Sequence, residues 1–120
     1  MKITTEMVKI NLDLATQKNF DEEENEFVRL DMLQANKNLA TQENFKKANK
    51  KKDWYLRLKM IEVNKNLATI KNFQEEKDYS VHITMLRANP ELATQKNFYN
   101  EEDGCVRFVM RYINPAIKDN

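Results

Sequence analysis

Apolar residues recur at fixed positions along the chain, and every recurrence ends at an asparagine. The five asparagines stand at positions 11, 36, 64, 89 and 114, so they are 25, 28, 25 and 25 residues apart. Four residues before each is a methionine, and eight residues before each is isoleucine, valine or leucine. Three residues after each is leucine or isoleucine. Such a period indicates an array of short repeats, with the methionines filling its core.

The period divides the chain into repeat units. One spacing is longer because the segment KKANKKKD, residues 46–53, holds three extra residues, and we interpret this segment as a basic loop. We expect a single repeat domain over residues 1–120. Its predicted divisions are a half unit 1–10, units 11–35, 36–63, 64–88 and 89–113, and a partial unit 114–120.

Each unit opens on a phrase such as NPELATQKNF (89–98), which is typical of a helix start. Its threonine stands where an N-cap hydroxyl accepts a hydrogen bond from an amide of the first turn. The asparagine three residues later occupies the place of Glu or Gln in a capping box, so we expect its side-chain oxygen to accept from the threonine amide. A phenylalanine in the second turn is the predicted apolar anchor. The threonine–asparagine pairs are Thr16–Asn19, Thr41–Asn44, Thr69–Asn72 and Thr94–Asn97.

The second element of each unit fits two interpretations. In the segment 78–89, Val81, Met85 and Ala88 have the i, i+4, i+7 spacing of one helix face. Val81, Ile83 and Met85 also alternate with polar residues, as in a strand. Adjacent apolar pairs such as Met85–Leu86 break the alternation and supply a second helical stripe. We therefore favour a helix.

Four segments share Asp or Asn, followed three residues later by an apolar residue, and they end in Asn or Asn-Pro. They are NEFVRLDMLQAN (25–36), DWYLRLKMIEVN (53–64), DYSVHITMLRANP (78–90) and DGCVRFVMRYINP (103–115). In this pattern the chain resembles the variant leucine-rich repeat and, more loosely, HEAT-like repeats. The resemblance implies stacked two-helix units with a curved surface. It implies no single activity, since such arrays serve mainly as interaction scaffolds.

The predicted fold is therefore all-α. We expect a right-handed α-solenoid of about four two-helix repeats of 25 residues, one of them with 28. The alternative is a βα leucine-rich-repeat-like solenoid, in which the second element would be a strand.

Composition narrows the classes of function. Lys and Arg number 20 and Asp and Glu number 19, so the net charge of +1 gives no general attraction to nucleic acid or anionic membranes. A single cysteine, Cys105, and a single histidine, His82, leave no basis for a disulfide framework or a Cys-based zinc site. We expect Cys105 to be an inert, partly buried thiol. With no nucleophile–base arrangement and no Gly-rich phosphate loop, we predict no enzyme, no metal and no cofactor. No apolar run approaches transmembrane length, so we expect a cytoplasmic protein without a membrane partner.

A column of mostly basic residues follows the first apolar position of each second element. It fits a stripe that binds phosphate or carboxylate, or a ladder in which each base bonds an aspartate of its own or the adjacent repeat. Stacked repeats bring copies into register, and Asp–Arg pairs are bidentate, so we favour the ladder. Its predicted members are Arg29, Arg57, His82 and Arg107 with Asp53, Asp78 and Asp103.

The charged segments between elements differ most from unit to unit, and protruding loops are common recognition sites. DEEENE (21–26) is acidic, whereas KKANKKKD (46–53) holds five lysines and precedes two aromatic residues. We predict a protein–protein interaction module that binds another protein through these loops and exposed helix faces. The predicted partner-binding residues are Glu22, Glu23, Glu24, Lys50, Lys51, Lys52, Trp54 and Tyr55.

Two alternatives stay open. A lysine cluster beside Trp54 and Tyr55 also suits a nucleic-acid-binding helical repeat protein that uses the Lys-rich loop 46–54. Five lysines without arginine are a weak sign of this, because base readout favours Arg. The N-terminal helix carries Ile3, Met7 and Ile10 on an uncapped apolar face, which leaves end-to-end self-association open.

Overall fold

The computed structural model describes residues 2–119, which contain helices, turns and no strand. Met1 and Asn120, at the ends of the predicted half unit and partial unit, lie outside the described residues. The helical prediction for the second elements is confirmed, and the strand of the βα alternative is absent from this range. No helix within it is long and apolar enough to cross a membrane. The α-helices of the described residues are α1 (Thr5–Ile10), α2 (Gln17–Glu22), α3 (Glu26–Ala35), α4 (Gln42–Lys50), α5 (Trp54–Val63), α6 (Ile70–Glu75), α7 (Tyr79–Ala88), α8 (Gln95–Asn100) and α9 (Gly104–Ile113).

One order of elements recurs. A 3-10 helix starts directly after the repeated asparagine, a short helix follows, and a ten-residue helix completes the unit. We call α3, α5, α7 and α9 the long helices. The sequence pattern did not predict the 3-10 turns, which are Leu12–Leu14, Lys37–Leu39, Lys65–Leu67 and Pro90–Leu92.

The described residues divide between Asn64 and Lys65 into two compact bodies. In the N-terminal body α1 packs against α3, α3 against α5, and α4 against α5. In the C-terminal body α7 packs against α9. The prediction of one repeat domain stays a prediction.

The repeated apolar columns form the cores of both bodies. Met32, Met60, Met85 and Met110 have no exposed surface, whereas Met7 of α1 is half-buried. The anchor phenylalanines of the short helices are also buried, and each such side chain stabilises the fold by about 1.5–3 kcal/mol. They are Phe20, Phe45, Phe73 and Phe98.

The predicted threonine caps are confirmed, but the predicted capping box is wrong. Thr16 Oγ1 accepts from the Asn19 amide at 3.1 Å, and the other three caps have the same distance. The Asn19 side chain turns the other way, and its Nδ2 donates to the Leu14 carbonyl at 2.9 Å. The Thr16 amide donates to that same carbonyl at 2.9 Å, so it already has a partner and needs none from Asn19.

The asparagine that ends each long helix has two roles. Oδ1 of Asn36 accepts from the Asn38 amide and holds the 3-10 turn of its own unit. Nδ2 of Asn36 donates to the Ala15 carbonyl of the preceding unit at 2.8 Å. We call this contact and its three equivalents the asparagine ladder. The equivalents are Asn64–Ala40 at 2.8 Å, Asn89–Ala68 at 2.9 Å and Asn114–Ala93 at 2.8 Å.

The three extra residues of the longer unit extend α4 and its C-terminal turn. Lys46 to Lys50 are helical, so the prediction of a basic loop over 46–53 is wrong for its first five residues. Ala48 is buried in the added turn, which accounts for the extension. The amide of Asp53 donates to the Ala48 carbonyl at 2.9 Å, and that of Lys52 to the Asn49 carbonyl at 3.1 Å. These are the two bonds of a Schellman motif, whose left-handed position usually holds glycine. Here it holds Lys52, with φ of 57°.

Lys52→Gly is therefore expected to raise the free energy of unfolding by about 1 kcal/mol, because glycine adopts positive φ without the steric cost of a Cβ. The matched control is Lys51→Gly, since Lys51 has φ of −81°. That control is expected to lower the free energy of unfolding by about 0.5 kcal/mol through backbone entropy. Urea denaturation followed by circular dichroism measures both. A loss of stability in Lys52→Gly would contradict the assignment of strain to this residue.

Candidate functional site

The first rung of the predicted base ladder is a buried ion pair between neighbouring repeats. Arg29 Nη2 lies 3.1 Å from Asp53 Oδ2, and both side chains are buried. Arg29 Nη1 also donates to the Glu23 carbonyl at 2.6 Å. Asp53 caps α5 by accepting from the Leu56 amide with Oδ1. The pair thus ties α3 to the first turn of the next long helix.

His82 takes the place of arginine in the C-terminal body. Its Nδ1 lies 2.8 Å from Glu101 Oε1, and its Nε2 lies 2.8 Å from the Phe73 carbonyl oxygen. The ring also stacks on Phe73 with centroids 4.3 Å apart. When Glu101 is ionised both oxygens are acceptors, and this arrangement suits the imidazolium form of His82, in which both ring nitrogens donate.

The surroundings of this pair shift both pKa values. Burial lowers the pKa of His82, but the bonds to Glu101 and the Phe73 carbonyl outweigh it, so the net shift is upward. Burial raises the pKa of Glu101, but the His82 bond and the Asp103 amide outweigh it, so the net shift is downward. Both shifts favour the charged pair.

The remaining predicted ladder residues, except Arg107, bind backbone groups. Asp78 and Asp103 cap α7 and α9, and each accepts from two backbone amides. Because Asp103 caps α9, the carboxylate that pairs with His82 is that of Glu101, two residues before this N-cap. Arg57 is buried and donates to the Ala48 carbonyl at 3.2 Å.

Arg107 in α9 is the last base of the column. Its guanidinium lies over the Phe98 ring, 4.3 Å from the centroid. Its Nε is buried and has no hydrogen-bond partner. Among the described residues no carboxylate forms an ion pair with Arg107, in contrast to Arg29 and His82.

The predicted acidic site lies at one edge of the N-terminal body. Glu22, Glu23 and Glu24 line a groove of about 720 Å³ together with Lys2 and Lys18. Glu23 is partly engaged, because its Oε2 accepts from the Asn25 amide at 2.9 Å. The structure thus brings the three predicted acids together with two lysines of the same body.

The predicted basic site combines exposed lysines with paired ones. Lys50, Lys51 and Lys52 are exposed. Lys47 instead lies 3.3 Å from an oxygen of Asp21 and 3.4 Å from one of Glu43, and its bond to Asp21 raises its pKa.

The aromatic residues of the basic site are half-exposed and contact each other edge to face. The ring centroids of Trp54 and Tyr55 are 5.5 Å apart. Lys59 Nζ lies over the Tyr55 ring at 5.4 Å. The two rings thus contact each other, and Tyr55 also contacts Lys59, so they do not form a flat stacking platform.

Sequence reasoning missed an apolar groove between α7 and α9, which we call the α7–α9 groove. It has a volume of about 520 Å³, and Phe108 and Tyr112 line it with 72% and 81% of their surfaces exposed. The available signal was a change of residue type in α9. At the position of Phe108 the earlier long helices have Leu or Ile, and at the position of Tyr112 they have Gln, Glu or Arg. The remaining lining residues are Leu86, Arg87, Pro90, Val109 and Ile113.

Two further findings concern reactive and metal-binding side chains. Cys105 is exposed, so the expectation of a partly buried thiol is wrong. Its position in the helix is that of Phe27 in α3, which also faces solvent. Across residues 2–119 no three His, Cys, Asp or Glu side chains form a group that could hold a metal ion.

The stabilisation from the His82–Glu101 pair is expected to fall at both ends of the pH scale. The raised pKa of His82 gives a contribution that is complete below the ordinary 6.5 and is lost as pH rises through the folded pKa. The lowered pKa of Glu101 gives one that is complete above the ordinary 4.5 and is lost as pH falls through the folded pKa.

Urea denaturation of wild type and His82→Gln across this range measures the effect. The difference in unfolding free energy is expected to be largest between the two ordinary pKa values and to shrink on either side. A difference that does not change with pH would contradict the charged pair.

No protein-family model, no curated protein and no solved structure matches this chain. The resemblance to the variant leucine-rich repeat and to HEAT-like repeats therefore stays a prediction from the sequence.

Proposed function

We propose that this chain is a protein-binding module whose partner lies on the exposed faces of the long helices, with the α7–α9 groove as the main contact. We also propose that the repeat units stack as a right-handed α-solenoid. The recurring order of elements and the asparagine ladder support the stacking, because each ladder bond joins a unit to the one before it.

The exposure of Phe108 and Tyr112 is the observation that carries the proposal. The two side chains stand four residues apart on α9, so they lie on one helix face. Leaving large aromatic surfaces in water is unfavourable, and such residues supply much of the binding energy in protein interfaces. Both line a groove whose other residues are mostly apolar.

The groove also contains features that give a partner orientation. Arg87 provides one positive charge beside Phe108 and Tyr112, and Tyr112 adds a phenol hydroxyl. An apolar body with a few polar groups at its margin is typical of a peptide-binding surface. The groove therefore suits an apolar partner segment with an acidic residue next to it.

Nucleic-acid binding is the second candidate, favoured by the exposed Lys50, Lys51 and Lys52 beside the half-exposed Trp54. Two sets of contacts make nucleic-acid binding a weaker candidate than protein binding at the α7–α9 groove. Lys47 forms ion pairs with Asp21 and Glu43, and the rings of Trp54 and Tyr55 contact each other edge to face.

Replacement of the two aromatic residues tests the protein-binding proposal. The tagged full chain is used to capture partners from its own cell extract, and the affinity for an identified partner is then measured. Phe108→Ala combined with Tyr112→Ala is expected to weaken binding at least about tenfold, because truncated hot-spot residues typically cost 2 kcal/mol or more. Phe27→Ala is the control, since Phe27 is 71% exposed on α3 and does not line the groove.

Unchanged affinity in the double variant would contradict the proposal. Recovery of nucleic acid that is released by moderate salt, and that is lost in Lys50→Ala, Lys51→Ala and Lys52→Ala, would favour the second candidate instead.

A further inference from the structure

We propose that the outer face of α9 binds an amphipathic partner helix whose first turn presents a carboxylate to Arg107. This inference rests on the proposed function, because it names the partner chemistry for a surface that shares Phe108 and Tyr112 with the α7–α9 groove.

Arg29 and His82, two other bases of the column, share one pattern of pairing. Arg29 meets Asp53, the N-cap of α5. His82 meets Glu101, which lies two residues before the N-cap of α9. In both bodies, therefore, a base on one long helix is matched by a carboxylate at the start of the next long helix.

Arg107 is held in place by Phe98 but forms no ion pair with a carboxylate of the described residues. Its Nε is buried without an acceptor, and its guanidinium is held over the Phe98 ring at 4.3 Å. Stacking on an aromatic face restricts the side chain before a partner arrives, which reduces the entropy lost on binding. Arg111 beside it is already engaged, because its Nη1 lies 2.7 Å from Asp119 Oδ2.

The surface around Arg107 has a shape and polarity that suit a partner helix. A groove of about 490 Å³ lies there, lined by Phe98, Gly104, Phe108, Tyr112 and Pro115 among others. A Cβ added at Gly104 would meet nothing within 4 Å, so the start of α9 is open to an approaching chain. Apolar side chains three and four residues apart on a partner helix would pack against Phe108 and Tyr112.

Arg111 distinguishes α9 from the earlier helices, and it makes this surface more suitable for a reversible partner than for a permanently buried contact. Five residues after the first apolar position, the earlier helices carry buried apolar side chains, whereas α9 carries the exposed Arg111. A contact centred on a charge–carboxylate pair with apolar flanks is typical of a reversible interface. The earlier residues at this position are Val8, Leu33, Ile61 and Leu86.

The experiment uses a segment of this chain as the probe. A fluorescent peptide of residues 52–64 contains α5 with Asp53, the carboxylate that meets Arg29. A second peptide differs only by Asp53→Asn. Binding of both to the full chain is measured by fluorescence anisotropy, with acetate added in a separate arm to detect simple anion binding.

Wild type is expected to bind the aspartate peptide about tenfold more tightly than the asparagine peptide, the usual effect of a charged hydrogen bond. Arg107→Gln is expected to remove this difference, and Arg111→Gln to keep it. Arg107 gives up only its contact with the Phe98 ring and no ion pair, so Arg107→Gln is expected to keep the wild-type circular dichroism spectrum and to change the thermal midpoint little.

Equal affinity of wild type for the two peptides, no binding of either, or a difference that survives Arg107→Gln would each overturn the inference. Competition by acetate alone would overturn it as well, since the site would then bind free anions. If sedimentation shows self-association that Arg107→Gln abolishes, the occupant is a second copy and the partner helix is wrong. A captured partner that is insensitive to Arg107→Gln but lost in the Phe108 and Tyr112 variant leaves the proposed function standing and the inference overturned.

Discussion

The hydrogen bonds of the repeated asparagine are the constraint on which the other regularities depend. In Asn36, Oδ1 holds the turn inside the unit while Nδ2 donates to the buried Ala15 of the unit before. A buried backbone carbonyl needs a donor, so the asparagine cannot be exchanged freely. The bond spans 21 residues at Asn36 but 24 at Asn64, because the insertion lies between Asn64 and its acceptor. The extra residues lengthen α4, and the ladder keeps its geometry.

The column of bases provides a second connection between long helices, and its last member, Arg107, is the residue on which the proposed partner contact depends. A buried ion pair contributes little net stability, but an uncompensated charge is costly, so such pairs favour one arrangement over others. Arg29 with Asp53 and His82 with Glu101 obey this rule within their bodies. Arg107 carries the same chemistry onto a surface with exposed aromatic residues. In the proposed function, this same chemistry is available for recognition of a partner.

The sequence predicts what depends on neighbours within one turn and misses what depends on distance between units. Thr16 caps its helix as expected because its partner is three residues away. The acceptor of Asn36 Nδ2 is 21 residues away, and no local rule identifies it. Lys46 lies in a helix that buries Ala48, and His82 pairs with Glu101, which is 19 residues away. Both depend on packing that a local sequence pattern does not show. The α7–α9 groove was missed because Phe108 has the same periodic position as Leu30, Leu58 and Ile83, so the apolar pattern alone does not set it apart.

The most direct test of this account compares Asn36→Asp with Asn11→Asp. Both residues end a helix and hold a turn through Oδ1, but Asn36 alone of the two donates to an alanine carbonyl. Aspartate keeps the oxygen and removes the donor. Urea denaturation is expected to show a loss of about 1–3 kcal/mol for Asn36→Asp, the cost of an unsatisfied buried group, and less than about 0.5 kcal/mol for Asn11→Asp. Equal losses in the two variants would contradict the role of the ladder.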